Sequence, residues 1–251
     1  MKILYIFFVF EAVREYGYAL SEGQGEISPL VFGGFEVKSG HGFMVSLRKN
    51  GTHFCGGTII AAWTILTAAH CVDYKTPESI SIVAGTYSLH SGGDYRNATE
   101  ILIHPGWNRT AKMHDIALIK LNLLYTPSFQ IYGIHIAQTY TGGGVFTGVA
   151  GWGIPSNGSL YALNTETISN SNCNTQAQPN NTITEYQICT QSPVGQGVCL
   201  FDSGGPLMGI LLDLPIQVGI ISWGLGGCAK GYPEVYTRIS AYYPWIFENA
   251  W

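Results

Sequence analysis

From Gly42 onward, apolar residues fall in short runs, some continuous and some alternating with polar ones, and each run is closed by Gly, Asn, Pro or Ser. The segments FMVSLR, FCGGTIIA, WTILTAAH, SISIVAG, IALIKL, VFTGVAGWG, VGIISWG and EVYTRIS are all of this kind. A period of two, or a brief buried run between turn residues, is the mark of a strand, so the pattern predicts an all-β sandwich or barrel. The Asn-, Gln- and Thr-rich stretch Asn170 to Gln187 reads as a loop with room for a short helix. At the carboxyl end, Ile239, Tyr242, Tyr243, Ile246 and Phe247 recur at helical spacing, which predicts a terminal amphipathic helix despite Pro244. The apolar stretch Leu207 to Ile221 is interrupted by Asp213 and Pro215 and is too broken for a membrane span.

Composition narrows the picture. Only 11% of the 251 residues are charged, against about 25% in an ordinary soluble chain, while Gly numbers 32. Short strands and tight turns suit such a chain. The net charge is −4 with no basic run, which argues against nucleic acid as a partner. Six cysteines, Cys55, Cys71, Cys173, Cys189, Cys199 and Cys228, form an even set without Cys-x-x-Cys or Cys/His ligand spacing. Disulfides are expected, and no metal or cofactor.

At the amino end, Lys2 precedes the apolar run Ile3 to Phe10, and small residues end at Ala19. The stretch 1–19 therefore reads as a secretory leader, although its apolar run is short and is followed by Glu11, Arg14 and Glu15. Five sequons, beginning at Asn50, Asn97, Asn108, Asn157 and Asn180, would be open to glycosylation on that route. A secreted, extracellular monomer is the expectation.

Three segments carry chemistry. TAAHC holds His70, HDIALIKL holds Asp115 and DSGGP holds Ser203. A hydroxyl nucleophile, an imidazole to move its proton and a carboxylate to fix the imidazole tautomer are what acyl transfer from a peptide bond requires. Asp115 directly precedes the apolar run Ile116 to Leu121, where a carboxylate is costly unless hydrogen-bonded.

With HFCGGT, GWG, ISWG and CAKGYPEVYTR, these segments resemble the chymotrypsin-like (trypsin-fold) serine proteases from about Val31 to Trp251, and the last run is similar to insect chymotrypsin-like members. The resemblance implies two six-stranded antiparallel β-barrels, about 31–135 and 136–238, and a helix over 239–251, with 20–30 as a propeptide-like segment. It implies the disulfides Cys55–Cys71, Cys173–Cys189 and Cys199–Cys228. It also implies a catalytic triad of His70, Asp115 and Ser203 and an oxyanion hole from the N–H groups of Phe201 and Ser203. Ser222, Trp223 and Gly224 would pair with extended substrate, a protein or peptide, and protease inhibitors are further expected partners.

Three departures from the family pattern matter. Phe201 stands where the family has Gly, so a side chain must occupy a left-handed backbone or an oxyanion donor is lost. The amino terminus that would pair with Asp202 after activation is best matched by Val31, but Leu30 precedes it, and no Lys or Arg lies between Arg14 and Lys38. Ser46 and His53 match positions that hold this Asp in inactive precursors. The specificity pocket has Gly197 at its floor where trypsins have Asp, and Glu234 stands where the vertebrate enzymes have Gly, while Gly224 and Gly226 are expected to keep the entrance open. The resulting expectation is a secreted serine endopeptidase of chymotrypsin-like or mixed specificity and reduced activity. The alternative is a catalytically weak or silent homologue that binds other extracellular proteins.

Overall fold

The structure, a computed structural model, describes residues 31–153, 157–176 and 182–251. The expected leader 1–19, the segment 20–30 and the sequon at Asn180 lie outside them. The first barrel follows a bridge-like strand β1 (Phe35–Glu36) and is made of β2 (Met44–Lys49), β3 (Thr52–Ala61), β4 (Thr64–Thr67), β5 (Ser81–Ala84), β6 (Asp94–Ile103) and β7 (Ala117–Leu121). It closes in the order β2-β3-β4-β7-β6-β5. Between β4 and β5 the chain makes the one-turn helix α1 (Ala69–Val72).

After the short β8 (His135–Ile136) come β9 (Phe146–Gly151), β10 (Tyr161–Ile168), the helix α2 (Asn170–Gln176), β11 (Gln187–Gln191), β12 (Pro206–Leu211), β13 (Leu214–Gly224), β14 (Glu234–Arg238) and α3 (Ile239–Asn249). The sheet β10-β11-β14-β13-β12-β9 is closed by pairing of β9 with β10. Two six-stranded antiparallel barrels with a carboxyl-terminal helix are therefore present, as the resemblance implied.

Closure pairs most of the strand edges and turns apolar side chains into each barrel. Val45, Leu47, Ile65, Leu66, Ile82, Leu118 and Ile119 fill the first barrel, and Val149, Leu163, Ile188, Leu207, Ile220 and Tyr236 serve the second. Thr58 donates from β3 to Gln217 Oε1 on β13 at 2.7 Å, and Gly56 N–H donates to the Ser203 carbonyl at 2.8 Å, so the barrels meet along the segments that carry the chemistry. Backbone and hydroxyl of Thr64 and Trp251 bond reciprocally and return the end of the chain to the first barrel.

In α3 the buried stripe is Ile239, Tyr242 and Ile246. Tyr243 and Phe247 stack on each other at 6.1 Å on the outer side, Phe247 being exposed, so they do not extend the stripe as the spacing predicted. All three expected disulfides are formed. Such bonds are consistent with secretion. Asn50, Asn97, Asn108 and Asn157 are exposed. Among the described residues no helix is long and apolar enough to cross a membrane.

Candidate active site

His70 lies in α1, whose other residues Ala69, Cys71 and Val72 are buried and whose Cys71 is tied to β3 through Cys55. A helix this short has little stability of its own; burial and the cross-link fix it. The His70 imidazole keeps 28% of its side chain exposed.

Asp115, just ahead of β7, is buried, and its carboxylate is satisfied from three sides. Oδ1 accepts the His70 backbone N–H at 2.8 Å, and Oδ2 accepts His70 Nδ1–H at 2.7 Å and the Ser222 hydroxyl at 2.5 Å. Thr237 also donates to the Asp115 carbonyl at 2.7 Å. Because Nδ1 donates to the carboxylate, a neutral imidazole presents Nε2 as an acceptor. The sequence placed Ser222 only on the substrate strand; its hydroxyl on Asp115 was not foreseen.

Ser203 follows the buried Asp202 in a tight loop pressed against β3 and β4. A Cβ on Gly204, at φ +80°, would lie 2.2 Å from Thr67 Oγ1 and 2.5 Å from the Gly56 carbonyl, so only glycine admits this approach. The Ser203 hydroxyl makes no hydrogen bond among the described residues. Such contacts are often long without substrate and tighten when it binds. His70 Nε2 lies 3.8 Å from Cys71 Sγ, whose sulfur is already consumed in the disulfide.

Phe201 adopts φ +74°, the left-handed conformation that glycine takes without penalty and that costs another residue about 1–2 kcal/mol. The residue is 40% exposed, and its ring is inclined against His53. A buried relay holds the peptide on its far side. Arg48 Nε donates to Ser46 Oγ at 3.0 Å, Ser46 donates to His53 Nδ1 at 2.9 Å, and His53 Nε2–H donates to the Phe201 carbonyl at 3.1 Å. Burial, with a smaller contribution from Arg48, lowers the His53 pKa to about 4, against a weaker raising effect of the Phe201 bond. Neutral His53 is the form that can accept from Ser46 while donating to Phe201. The pair thus holds Phe201, whereas the precursor match in the sequence pointed to Asp202.

Asp202 accepts from Gly153 N–H at 2.8 Å and Cys199 N–H at 2.9 Å. Burial raises its pKa to about 7 against those two bonds. Val31 is fully buried, and Phe32 exchanges backbone hydrogen bonds with Gly197 at 2.8 and 3.1 Å, which brings the start of the described chain to the pocket.

At that pocket, a Cβ on Gly197 would meet Glu234 Oε1 at 2.2 Å. The carboxylate of β14 therefore occupies the space that a side chain at 197 would use. Oε1 accepts Val198 N–H at 2.6 Å and Oε2 accepts Tyr236 O–H at 3.0 Å. Burial raises the Glu234 pKa to about 7, opposed by these bonds and reinforced by Asp202. A Cβ on Gly224 would meet no other residue within 4 Å beyond its chain neighbours, so its face is open. Gly226 differs from expectation: a Cβ there would lie 2.0 Å from the Tyr232 ring, so that tyrosine covers it.

Two closed barrels with an imidazole–carboxylate pair and a serine loop packed between them define a double-barrel protein of the serine-hydrolase kind. Residues 31–246 match the family model described as Trypsin. Trypsin delta and trypsin gamma of Drosophila melanogaster are each 34% identical over 230 residues, covering 88% of either chain. Trypsin alpha of Drosophila erecta is 32% identical over 88% of this chain and 87% of its own. The chain belongs to the trypsin family of serine proteases, and that membership implies a serine-type endopeptidase acting on proteins. These relatives bear the name trypsin, where the carboxyl-terminal run of the sequence pointed to insect chymotrypsin-like members.

Proposed function

We propose that the protein is a secreted endopeptidase that cleaves peptide bonds through an acyl-enzyme on Ser203. The carrying observation is the doubly bonded His70–Asp115 pair, which leaves Nε2 free to work as a base. His70 takes the hydroxyl proton as Ser203 Oγ attacks the carbonyl carbon. The oxygen of the tetrahedral intermediate accepts the N–H groups of Phe201 and Ser203, and the same proton passes to the departing amine. Water then repeats the sequence in reverse order of roles and frees Ser203. Substrate residues upstream of the cut add as a strand to Ser222, Trp223 and Gly224. Protein inhibitors that present an extended loop are expected to use the same edge.

The strained Phe201 supports a working but restricted site. Its relay to Arg48 offsets the cost of the left-handed turn, and its ring narrows the leaving-group side. Phe201→Gly is expected to raise kcat/KM for folded protein substrates about tenfold, with small peptide amides changing by less than about threefold; parallel assays on both classes check it. One observation favours the second reading, a binding homologue with little activity: the Ser203 hydroxyl has no hydrogen bond among the described residues. That reading predicts no turnover with either class.

We further propose 31–251 as the mature domain, released by cleavage after Leu30, with the Val31 ammonium pairing with Asp202. Uncut, Asp202 and Glu234 have folded pKa values near 7, above those of an unfolded carboxylate at about 4. The folded state then binds more protons between those values, so stability falls as pH rises from about 4 to about 7 and is flat beyond. The uncut chain should melt at a lower temperature at pH 8 than at pH 5. Cleavage should remove the Asp202 share of that fall. A chain with an inserted activator site before Val31 tests both points, because peptide hydrolysis should appear on cutting. Fully cut protein with no hydrolysis of any library peptide would favour the binding homologue.

A further inference from the structure

Two imidazoles next to Asp115 play no part in the catalytic reading. His104 directly follows β6 and His114 directly precedes Asp115, and their half-buried rings stack with centroids 5.1 Å apart and planes 16° from parallel. Their backbones bracket Asp115. His104 N–H donates to the Ile116 carbonyl at 3.1 Å, and Ile116 N–H donates to the His114 carbonyl at 2.9 Å. His114 makes this turn at φ +57°, in the left-handed region. Its Nδ1 shares a hydrogen bond of 2.9 Å with the hydroxyl of Tyr242 on α3, whose ring also meets His104 edge-on at 5.2 Å. Trp245 meets His104 edge-on at 5.0 Å, and Tyr186 lies 5.0 Å from His114.

The two rings do not take up a proton in the same way. His104 Nδ1 accepts the Gly106 N–H at 3.1 Å, so it carries no proton and the ring is neutral with its hydrogen on Nε2. Charging His104 puts a proton on Nδ1 and breaks that bond. His114 can charge and keep its bond, because Nδ1–H then donates to the Tyr242 oxygen. Burial, and then the neighbouring His114, lowers the His104 pKa. Around Tyr242, whose ionisation is suppressed first by burial, lie Tyr186 and the carboxylates of Asp115 and Glu185. Among the described residues neither imidazole of the stack pairs with a carboxylate. The cations of the same loop are engaged elsewhere, Arg109 with Asp73 and Lys112 with the Trp223 ring. Folding therefore lowers the proton affinity of His104 below that of an unfolded imidazole at about 6.5, and acid below that pH favours an opened loop.

We propose that His104 and His114 are positioning residues for Asp115, and that a proton on His104 opens the stack and releases the turn that holds that carboxylate against His70. This deepens the endopeptidase reading and rests on it only for the effect on turnover. Acid then acts on the site twice, once at the imidazole that moves the serine proton and once at the pair that holds its partner.

The test is an acid titration of the chain beginning at Val31, followed by NMR at the imidazole nitrogens, the Gly106 amide and the low-field proton between His70 and Asp115. As His104 takes its proton, the Gly106 amide is expected to shift and the low-field proton to disappear in the same step. His104→Asn, which keeps an acceptor for Gly106 but cannot charge, should retain the low-field proton to lower pH. His114→Asn, which removes the cationic neighbour, should move its loss to higher pH. Turnover of a peptide amide is read alongside. On the acid side kcat/KM should fall by up to about 100-fold per pH unit, against about tenfold in His104→Asn, since one titrating group gives about tenfold. A low-field proton that persists after His104 is charged, or an identical midpoint in all three proteins, overturns the proposal. Coupled NMR steps without turnover leave the positioning role standing and remove the hydrolase reading.

Discussion

Replacement of His70 by alanine is expected to lower kcat/KM for peptide amides by about 10⁴- to 10⁶-fold, with KM changing much less. The asymmetry follows from where the imidazole acts. His70 is held by two hydrogen bonds to a buried carboxylate, and its own remaining nitrogen is the acceptor needed only as the serine proton leaves. Removing it takes away stabilisation of the transition state and leaves the strand-pairing edge at Ser222 to Gly224 intact. Asp115 would then be a buried carboxylate keeping only the Ser222 hydroxyl and the residue 70 backbone N–H as donors. Some loss of thermal stability is expected, and circular dichroism at the assay temperature separates it from loss of chemistry. A fall of less than tenfold in a folded variant would place the base elsewhere.

The second large effect concerns pH and the residue preceding the cut. Glu234, pushed up to about 7 by burial, is neutral in acid and charged in mild base. Neutral, it carries no charge for a basic side chain to meet while keeping its Val198 and Tyr236 bonds. Charged, it offers an anion where Gly197 provides none. The ratio of cleavage after Lys or Arg to cleavage after Leu or Phe should therefore rise by roughly 30-fold between pH 5.5 and 8.5, following the ionised fraction. Taking the ratio cancels any effect of pH that acts on both substrates alike. Glu234→Gln should flatten the profile and hold it at the apolar-preferring level. A steep profile in that variant would assign the switch to another group, and strong basic preference at pH 5.5 would contradict the chymotrypsin-like or mixed specificity expected from the sequence.

How far the sequence discloses this molecule depends on which residues face inward. Strands β7 and β13 are legible because their buried faces carry Ile, Leu and Val. Strand β10, YALNTETI, is not, since Thr165 and Thr167 take core-facing positions and satisfy their hydroxyls through Ser192 and the Gly142 carbonyl. Polar residues with local partners hide a period of two. Strand β6 hides for a different reason: DYRNATEILI is mostly solvent-facing, and its register is fixed by neighbours rather than by its own pattern.

The site divides in a similar way. His70, Asp115 and Ser203 stand in segments whose flanks identify them, and the buried carboxylate ahead of Ile116 demanded a partner on energetic grounds alone. Ser222 on Asp115, His53 on Phe201, Tyr232 over Gly226 and Lys112 on Trp223 are contacts between positions separated by 6 to 148 residues, at distances no local pattern encodes. The left-handed turn at Phe201 was foreseeable from glycine's usual role at that position. The relay that steadies it required Arg48, Ser46 and His53 to be seen side by side.

The most direct measurement is intact-mass analysis of the chain beginning at Val31 after exposure to a fluorophosphonate. A single adduct on Ser203, absent from His70→Ala protein treated in parallel, is the predicted result. A correctly processed, folded chain that takes up no adduct, or one labelled equally well without His70, would contradict the account.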